Sequence, residues 1–310
     1  MIVNMESYRQ RLTSLADQGI YVGTSSWKYP GWCGLVYDEQ RYITRSKFSE
    51  AKFERSCLSE YAETYRSVCV DGAYYQFPTE QYLASLSEQV PDNFKFGFKV
   101  TDDVTLKKFP SLPRFGPKGG TMNPNFLNPE LFLDRFLRPC ESIRSKVGPL
   151  IFEFSTFHKH EFEHGREFMD ALDQFLGALP RGWDYGVEIR NKGWLVPEYF
   201  QMLQSHGVAH TYNSWTRMPP VSEQMELAGN ETADFSVSRF LLKPGRSYAD
   251  AVKGFQPYTG IKEPNENARI AANKLLQQSL LRKRRGYIYV NNRLEGCAPL
   301  TIDGILPGNL

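Results

Sequence analysis

Eight short apolar segments, each ending in a polar residue and most of them separated by stretches long enough for a helix, limit what this chain can fold into. The segments lie near residues 21–25, 67–71, 94–100, 149–154, 184–190, 207–213, 235–242 and 286–292. Strands that alternate with helices form parallel sheets, and eight such units close into a barrel. We therefore predict an α/β fold in which residues 1–310 form one domain, a TIM-type (β/α)8 barrel.

Each predicted strand ends in a residue that can bind a ligand or take part in catalysis. These residues are Ser25, Asp71, Lys99, Glu153, Glu188, Asn213, Arg239 and Asn291. Successive strand residues face opposite sides of a sheet, and inward residues at the carboxyl ends of barrel strands line the active site in enzymes of this fold. We therefore expect a set of these side chains to converge on one cavity, namely those of Lys99, Glu153, Glu188, Arg190, Arg239 and Asn291.

The charge balance and the cysteines limit the class of protein. With 37 Lys and Arg against 35 Asp and Glu, the net charge is only +2, whereas nucleic-acid binding usually needs a strongly positive field. The five cysteines are odd in number and contain no C-x-x-C motif, which predicts reduced thiols in the cytoplasm and neither a disulfide framework nor a thiolate zinc site. No apolar run approaches the roughly 18 residues of a membrane span. We expect a cytoplasmic protein with a small-molecule ligand and without a cofactor, a membrane partner or a nucleic-acid partner.

Aromatic residues follow several of the predicted strands. Trp27 and Tyr29 come after the first strand, Trp194 after the fifth and Trp215 after the sixth. Loops at this end of a barrel surround the pocket. Their aromatic faces suit sugar rings or nucleobases, although they also suit packing of the loops onto the rim. The long segment 101–128, rich in proline and glycine, is a predicted lid or binding loop.

Three separated motifs carry a family resemblance. They are GTSSWKYPGW (23–32), VEIRNKGW (187–194) and YVNNRLEGCAP (289–299). They resemble the GTSGWSYxxW, E-x-R-H-x-S-W and FNN-x-x-x-G-x-A motifs of the YecE-like family, the domain of unknown function 72, over Tyr21 to Leu306. The resemblance implies a TIM-type barrel and a pocket that draws on Glu188, Arg190, Trp194, Asn291 and Asn292. The relation of that family to sugar isomerases is one of fold alone.

The chain also departs from the family pattern, as a divergent member would. The second strand has Cys69 and Asp71 where V-E-x-N is usual, Asn191 replaces a histidine, and Glu153 replaces a glutamine. An acid and an imidazole are lost and another acid is gained, so the proton-transfer roles are expected to differ.

Two neighbouring carboxylates are the centre of the predicted chemistry. Glu153 and Glu188 lie on adjacent strands, which are about 5 Å apart, so we expect one pKa to rise toward neutrality and supply an acid beside a base. Retaining glycosidases also use such a pair, but barrel glycosidases generally take it from strands four and seven, and strand seven offers Arg239. The alternative is a purely structural role, in which Glu188 and Arg190 form an interior ion pair that only stabilises the barrel. In that case Glu188→Gln would cost several kcal/mol of stability, whereas a functional Glu188 would cost little.

The predicted function is proton transfer on a small polyhydroxylated or anionic, sugar-like metabolite, of the isomerase or lyase type. Glu188, Glu153 and Lys99 are the predicted catalytic residues. The predicted substrate-binding residues are Arg190, Trp194, Arg239, Asn291, Asn292, Asp71, Trp27 and Tyr29. Lys99 and Arg239 could equally serve only to neutralise the carboxylates. Two other classes remain open, a non-catalytic ligand-binding barrel and a nucleic-acid processing factor that uses the Lys107–Lys118 loop.

One sequence motif suggests a metal. Residues 160–164, HEFEH, match the H-E-x-x-H zinc motif, but that motif must lie within a helix, and here it follows a strand closely and precedes Gly165. We predict loop histidines and no stoichiometric zinc. A divalent ion held by Asp71, Glu153 and Glu188 is the alternative metal site, although no inward histidine supports it.

Overall fold

The computed structural model describes residues 4–306, and in that part of the chain eight parallel strands form one closed barrel. The strands are β1 Ile20–Thr24, β2 Ser67–Val70, β3 Lys95–Lys99, β4 Val147–Phe154, β5 Tyr185–Ile189, β6 Ala209–Ser214, β7 Phe235–Phe240 and β8 Arg285–Val290. Each strand pairs with the next along the chain, and β8 pairs with β1 to close the ring. The predicted fold class, an α/β barrel of the TIM type, is confirmed. Residues 1–3 and 307–310 of the predicted domain lie outside the described residues.

Helices connect the strands. The regular helices of eight or more residues within 4–306 are α1 Met5–Asp17, α2 Glu50–Thr64, α3 Glu80–Ser87, α4 Gly165–Gly177, α5 Pro197–His206, α6 Tyr248–Phe255, α7 Glu266–Leu281 and α8 Ala298–Ile305. Between β3 and β4 a helical run passes through Pro129–Phe132, the π-helical Leu133–Leu137 and Arg138–Cys140. Side-chain caps fix several starts: Ser49 accepts a hydrogen bond from the backbone of Lys52, and Asn265 from that of Ala268. Among these residues no helix is both long and apolar enough to cross a bilayer.

Shorter elements shape the loops at the carboxyl ends of the strands. The short helices are Gly72–Tyr75, Asp102–Thr105 and Val221–Gln224, and a small hairpin pairs Ile43–Thr44 with Lys47–Phe48. The long segment 101–128 is folded back on itself, because Phe109 and Thr121 pair through their backbones and the Asn123 amide donates to the carbonyls of Asp103 and Leu106. This segment therefore covers part of the barrel end as an ordered loop.

The barrel has a packed interior below its carboxyl end. The side chains of Cys69, Ile151, Val237, Tyr287 and Tyr289 form a buried cluster inside the ring. A Cβ atom at Gly97 would lie 2.5 Å from the Tyr289 hydroxyl oxygen, so β3 needs glycine at the level where the tyrosine ring crosses the barrel. Tyr289 therefore fills the interior of the barrel at the level of Gly97.

One buried histidine lies outside the ring of strands. His210, on the outer face of β6, has the Tyr199 hydroxyl 3.4 Å from its Nδ1 atom and the rings of Phe200 and Tyr212 packed edge-on against it. Its Nε2 atom is buried and has no hydrogen-bond partner within residues 4–306. Burial lowers the pKa of His210 from 6.5 to about 4, although Gln224 partly opposes the change. The folded protein therefore holds this imidazole in its neutral form at neutral pH.

His210 should make stability depend on pH. The unfolded chain protonates this residue below about pH 6.5 and the folded chain only below about pH 4, so its contribution is fully present above pH 6.5 and is lost as the pH falls. We expect a loss of about 3 kcal/mol of unfolding free energy between pH 7.5 and pH 4 from this group. Urea unfolding of the wild type and of His210→Gln across this range measures it as the difference between their pH slopes. Equal slopes would contradict the prediction.

Candidate functional site

Six charged side chains meet at the carboxyl end of the barrel and form what we call the charged cluster. Its members are Asp71, Lys99, Glu153, Glu188, Arg190 and Arg239. Glu153 and Glu188 are register partners on β4 and β5, and Lys99 is the last residue of β3. The cluster adjoins the interior cluster that contains Tyr289, since Tyr289 and Arg239 are register partners on β8 and β7.

Glu188 is enclosed by two arginines. Its side chain is 0% exposed. The Oε1 atom accepts hydrogen bonds from Arg190 Nε at 3.2 Å and Nη2 at 3.1 Å, and Oε2 accepts one from Arg239 Nη1 at 2.6 Å. Because both oxygens are occupied, Glu188 is placed to hold the two guanidinium groups in position.

Glu153 is surrounded by three cations. Its Oε2 atom lies 3.0 Å from Lys99 Nζ, 2.9 Å from Arg190 Nη2 and 2.7 Å from Arg239 Nη1. Burial alone raises the pKa of Glu153, but Arg190, Lys99 and Arg239 together hold this pKa well below its usual range. The expectation that two adjacent carboxylates would raise a pKa is therefore wrong for Glu153, because the cations outweigh both burial and the second carboxylate.

Solvent reaches the charged cluster at Asp71. The Asp71 side chain is 32% exposed, the most accessible of the six, and its Oδ1 atom accepts from Arg239 Nη2 at 3.4 Å. On the other side of the cluster, Oε1 of Glu153 receives no hydrogen bond from any residue within 4–306. Asp71 is therefore the carboxylate of the cluster that solvent reaches most easily, whereas Glu153 is only 3% exposed.

Two aromatic rings cover cations of the cluster. The ring centroid of Tyr74 lies 3.6 Å from Lys99 Nζ, and that of Trp215 lies 3.7 Å from the guanidinium carbon of Arg190. The long loop contacts the Tyr74 ring through Arg114, whose guanidinium carbon lies 5.8 Å from the ring centroid. Arg114 Nη1 also forms an ion pair with Asp102 Oδ2 at 2.5 Å. Neither ring was predicted as a site residue, although Trp215 was expected on a loop at this end of the barrel.

Two residues predicted to bind substrate are used elsewhere. Trp194 stacks on Phe157 and Phe168, with centroids 5.6 Å and 5.1 Å away, in an aromatic cluster between the loops and α4. Asn292 accepts hydrogen bonds from Trp32 Nε1 at 3.2 Å and from the backbone N of Ala298 at 2.7 Å. Loop packing and the start of α8 therefore engage the Trp194 ring and the Asn292 Oδ1 atom, while Asn292 Nδ2 is buried without a hydrogen-bond partner among residues 4–306. Their roles in substrate binding stay predictions.

The remaining predicted residues lie around the barrel end in supporting positions. Asn291 is buried, and its Oδ1 atom accepts a hydrogen bond from the backbone N of Arg293 at 3.0 Å. Trp27 is a buried core residue. Tyr29 packs on Trp32 with centroids 4.8 Å apart, and burial raises the pKa of Tyr29 to about 12.

Several buried polar atoms at the tips of the strands have no protein partner. Ser25 Oγ, Asn213 Oδ1 and Arg239 Nε are buried without a hydrogen bond among the described residues 4–306. Asn213 is the register partner of Arg239, which places these two tips side by side. Buried polar groups are almost always hydrogen-bonded, so these three atoms are exceptions that lie at the carboxyl end of the barrel.

Neither of the two metal alternatives has a complete set of ligands among the described residues. Within residues 4–306 no group of three His, Cys, Asp or Glu side chains is placed to hold a metal ion. Asp71, Glu153 and Glu188 share contacts with Arg239 instead of converging on a common point. His160 lies in a turn and His164 immediately precedes α4, so the HEFEH segment lacks the helix that its motif requires. The absence of zinc stays a prediction.

Comparison with known proteins gives a consistent set of relatives. Residues 21–306 match the sequence model of a family described as protein of unknown function DUF72. The UPF0759 protein YecE of Escherichia coli K12 is 23% identical over 188 residues, which are 58% of this chain and 50% of that protein, so the chain spans about half the length of the curated relatives it matches. A solved DUF72 family protein from Enterococcus faecalis V583 is similar with a TM-score of 0.60 and 17% identity, covering 92% of this chain and 94% of that one. Another, from Thermotoga maritima MSB8, has a TM-score of 0.59 and 18% identity, covering 92% and 97%. At such low sequence identities the similarity to these solved structures supports the fold alone.

Proposed function

The chain belongs to the DUF72 family of proteins of unknown function, and we propose that its barrel mouth binds a small polyhydroxylated metabolite and catalyses a proton transfer on it. The observation that most supports this proposal is the arrangement of the charged cluster. Three cations are clamped by two buried carboxylates, while the third carboxylate, Asp71, stays open to solvent. Fixed cations beside an accessible carboxylate can stabilise an oxyanion as a proton leaves.

The polarity of the mouth favours a neutral, hydroxyl-rich ligand at this point. The cluster contains three cations and three carboxylates, so its formal charges cancel. The atoms without partners are mixed, since Asn213 Oδ1 accepts, Arg239 Nε donates and the Ser25 hydroxyl does both. Hydroxyl groups also donate and accept, and they therefore match this set better than a simple anion does.

The proposal gives the carboxylates different roles. Asp71 is the proton acceptor, because it contacts a single cation at 3.4 Å and faces solvent. Lys99, Arg190 and Arg239 contact the ligand oxygens. Glu153 and Glu188, predicted from sequence as catalytic residues, are positioning residues in this proposal. A retaining glycosidase would need a carboxyl with a raised pKa as its acid, and the lowered pKa of Glu153 argues against that reaction.

A thermal-shift screen tests the binding step. Aldoses, ketoses and sugar alcohols of three to six carbons form the panel, because a ligand that binds only the folded state raises the melting temperature. We expect some of them to do so, and we expect Ser25→Ala, which removes an unpartnered hydroxyl, to reduce that shift with little change in the melting temperature of the free protein. Ser205→Ala, on the outside of α5, is the matched control and should behave like the wild type.

Two results of the screen would count against the proposal. One is a panel in which no polyol raises the melting temperature. The other is a shift that Ser25→Ala leaves unchanged. A ligand that binds but is never turned over would identify the second class of function, a non-catalytic ligand-binding barrel.

A further inference from the structure

A cavity of about 260 Å³ lies between two loops at the carboxyl end of the barrel, and we call it the rim cavity. Its walls are the 106–111 part of the long loop and the loop after β4, residues 155–161. The loop after β4 is tied to the end of β5, because the Thr156 hydroxyl donates to the carbonyl oxygen of Arg190 at 3.2 Å and the backbone N of Phe157 donates to Asn191 Oδ1 at 2.9 Å. The rim cavity is therefore held next to Arg190, a member of the charged cluster.

The lining of the rim cavity is rich in hydrogen-bond donors. Its polar side chains are Lys107, Lys108, Ser111, Ser155, Thr156, His158, His160 and Glu161. The one carboxylate among them is partly engaged, since Glu161 Oε2 accepts from the backbone N of His158 at 2.9 Å. Two lysines against one carboxylate give the lining a positive balance. The hydroxyls of Ser111 and Ser155 and the two imidazoles add hydrogen-bonding groups, whereas the Thr156 hydroxyl already donates to Arg190.

One of the two lysines belongs to the wall. Lys107 Nζ donates to the backbone carbonyl of Glu161 and lies 3.2 Å from the centroid of the Phe162 ring. Its position joins the long loop to the loop after β4 and so gives the rim cavity a fixed shape. Lys108, the neighbouring residue, is the cation left to meet a ligand.

We infer that the rim cavity binds the phosphate group of a phosphorylated polyol whose hydroxyls contact the charged cluster. This inference rests on the proposed function, because it adds a phosphate to the ligand of the barrel mouth. A phosphate ester offers three acceptor oxygens and negative charge, which lysine, hydroxyl and imidazole donors satisfy together. The charged cluster, where the charges cancel, recognises hydroxyls. Its cations are already paired with carboxylates, so the rim cavity supplies the positive charge that binds the phosphate.

The place of the rim cavity differs from the usual one. Phosphate sites of TIM-type barrels are frequently built by the loops after strands 7 and 8. In this chain the cavity between the loop after β7 and the start of α7 has Lys243 as the only basic side chain in its lining, among the described residues. The loops after β3 and β4 carry the larger set of donors, and the loop after β4 is hydrogen-bonded to the backbone of Arg190.

Titration with inorganic phosphate tests the rim cavity on the full chain. Binding to the wild type is measured by calorimetry and by amide chemical shifts, and Lys108→Gln is expected to weaken it about tenfold, the effect of one charged hydrogen bond. His160→Gln, on the opposite wall, is expected to weaken it less. Lys253→Gln, an exposed lysine on α6, is the matched control and should leave binding unchanged. No phosphate binding, or equal binding by Lys108→Gln, would overturn the inference.

Pairs of sugars and their phosphate monoesters then connect the two sites. We expect each monoester to raise the melting temperature more than its parent sugar, and Lys108→Gln to remove that difference while the shift caused by the parent sugar stays. Monoesters that bind no better than parent sugars would contradict the inference and leave the proposed function standing. Inorganic phosphate reports on the rim cavity alone and unphosphorylated sugars on the barrel mouth alone, so the failures of the two proposals are distinguishable.

Discussion

Replacing Glu188 with glutamine is expected to lower the free energy of unfolding by about 3–5 kcal/mol, the usual cost of breaking a buried ion pair from one side. The carboxylate is 0% exposed and accepts from Arg190 and Arg239 through both oxygens. A glutamine keeps the shape and one acceptor, but it leaves three cations with two carboxylates, and the Arg190 and Arg239 side chains that lose their partner are only 9% and 3% exposed. Chemical denaturation with linear extrapolation measures the loss.

A matched variant and a double variant make this test specific. Glu226→Gln removes the carboxylate of a surface ion pair in which Lys274 is 49% and Glu226 70% exposed. Because solvent screens such pairs, this variant should change stability far less than Glu188→Gln. The double variant Glu188→Gln with Arg190→Gln restores the charge balance and should lose less than the sum of the two single variants. A loss below about 1 kcal/mol for Glu188→Gln alone would mean that the carboxylate does not brace the cluster, and would return it to the catalytic role predicted from sequence.

Replacing Asp71 with asparagine is expected to slow proton exchange on the ligand by about 10²–10⁴-fold, the usual contribution of a general base. The same change should cost little stability, because Asp71 is 32% exposed and its contact with Arg239 is long at 3.4 Å. Exchange is followed by proton NMR in D2O as the loss of a ligand C–H signal, with the polyol that gives the largest thermal shift. The pattern is therefore opposite to that of Glu188→Gln, which changes stability most.

Asp234→Asn serves as the control for this variant. Asp234 is 84% exposed at the opposite end of the barrel, just before β7. Its replacement should leave the exchange rate unchanged. If Asp71→Asn exchanged as fast as the wild type, the proton acceptor would have to be another group, and the role given to Asp71 would be wrong.

Much of the fold could be predicted from the sequence because the signal repeats. Apolar runs of strand length alternate with helical stretches, and each of the eight observed strands overlaps one of the predicted segments, as Lys95–Lys99 does with 94–100. Strict alternation along a strand also fixes which side chains face inward. Cys69 lies in the interior cluster, and its parity carries Asp71 to the barrel mouth.

Two features of the site could not be predicted. One is the direction of side chains on loops, and the other is the number of cations that surround each carboxylate in the folded protein. Tyr74 and Trp215 reach the cations from loops, where no periodicity fixes the direction of a side chain. The pKa of Glu153 follows from how many cations reach one oxygen atom, and that number depends on how Arg190 and Arg239 bend across the barrel. The sequence gives the residues at the strand ends but no information on that bending.

The ring of Tyr289 has a kinetic consequence. It is fully buried, its hydroxyl lies 3.0 Å from Ser67 Oγ, and it fills the barrel at the level of Gly97. A ligand at the mouth therefore has no passage through the barrel, and substrate and product must enter and leave through the same opening. The residence time of substrate or product would then depend on the groups that surround this opening, which are Tyr74, Trp215 and the long loop. Changes in the loop would therefore alter turnover although the loop contacts no reacting atom.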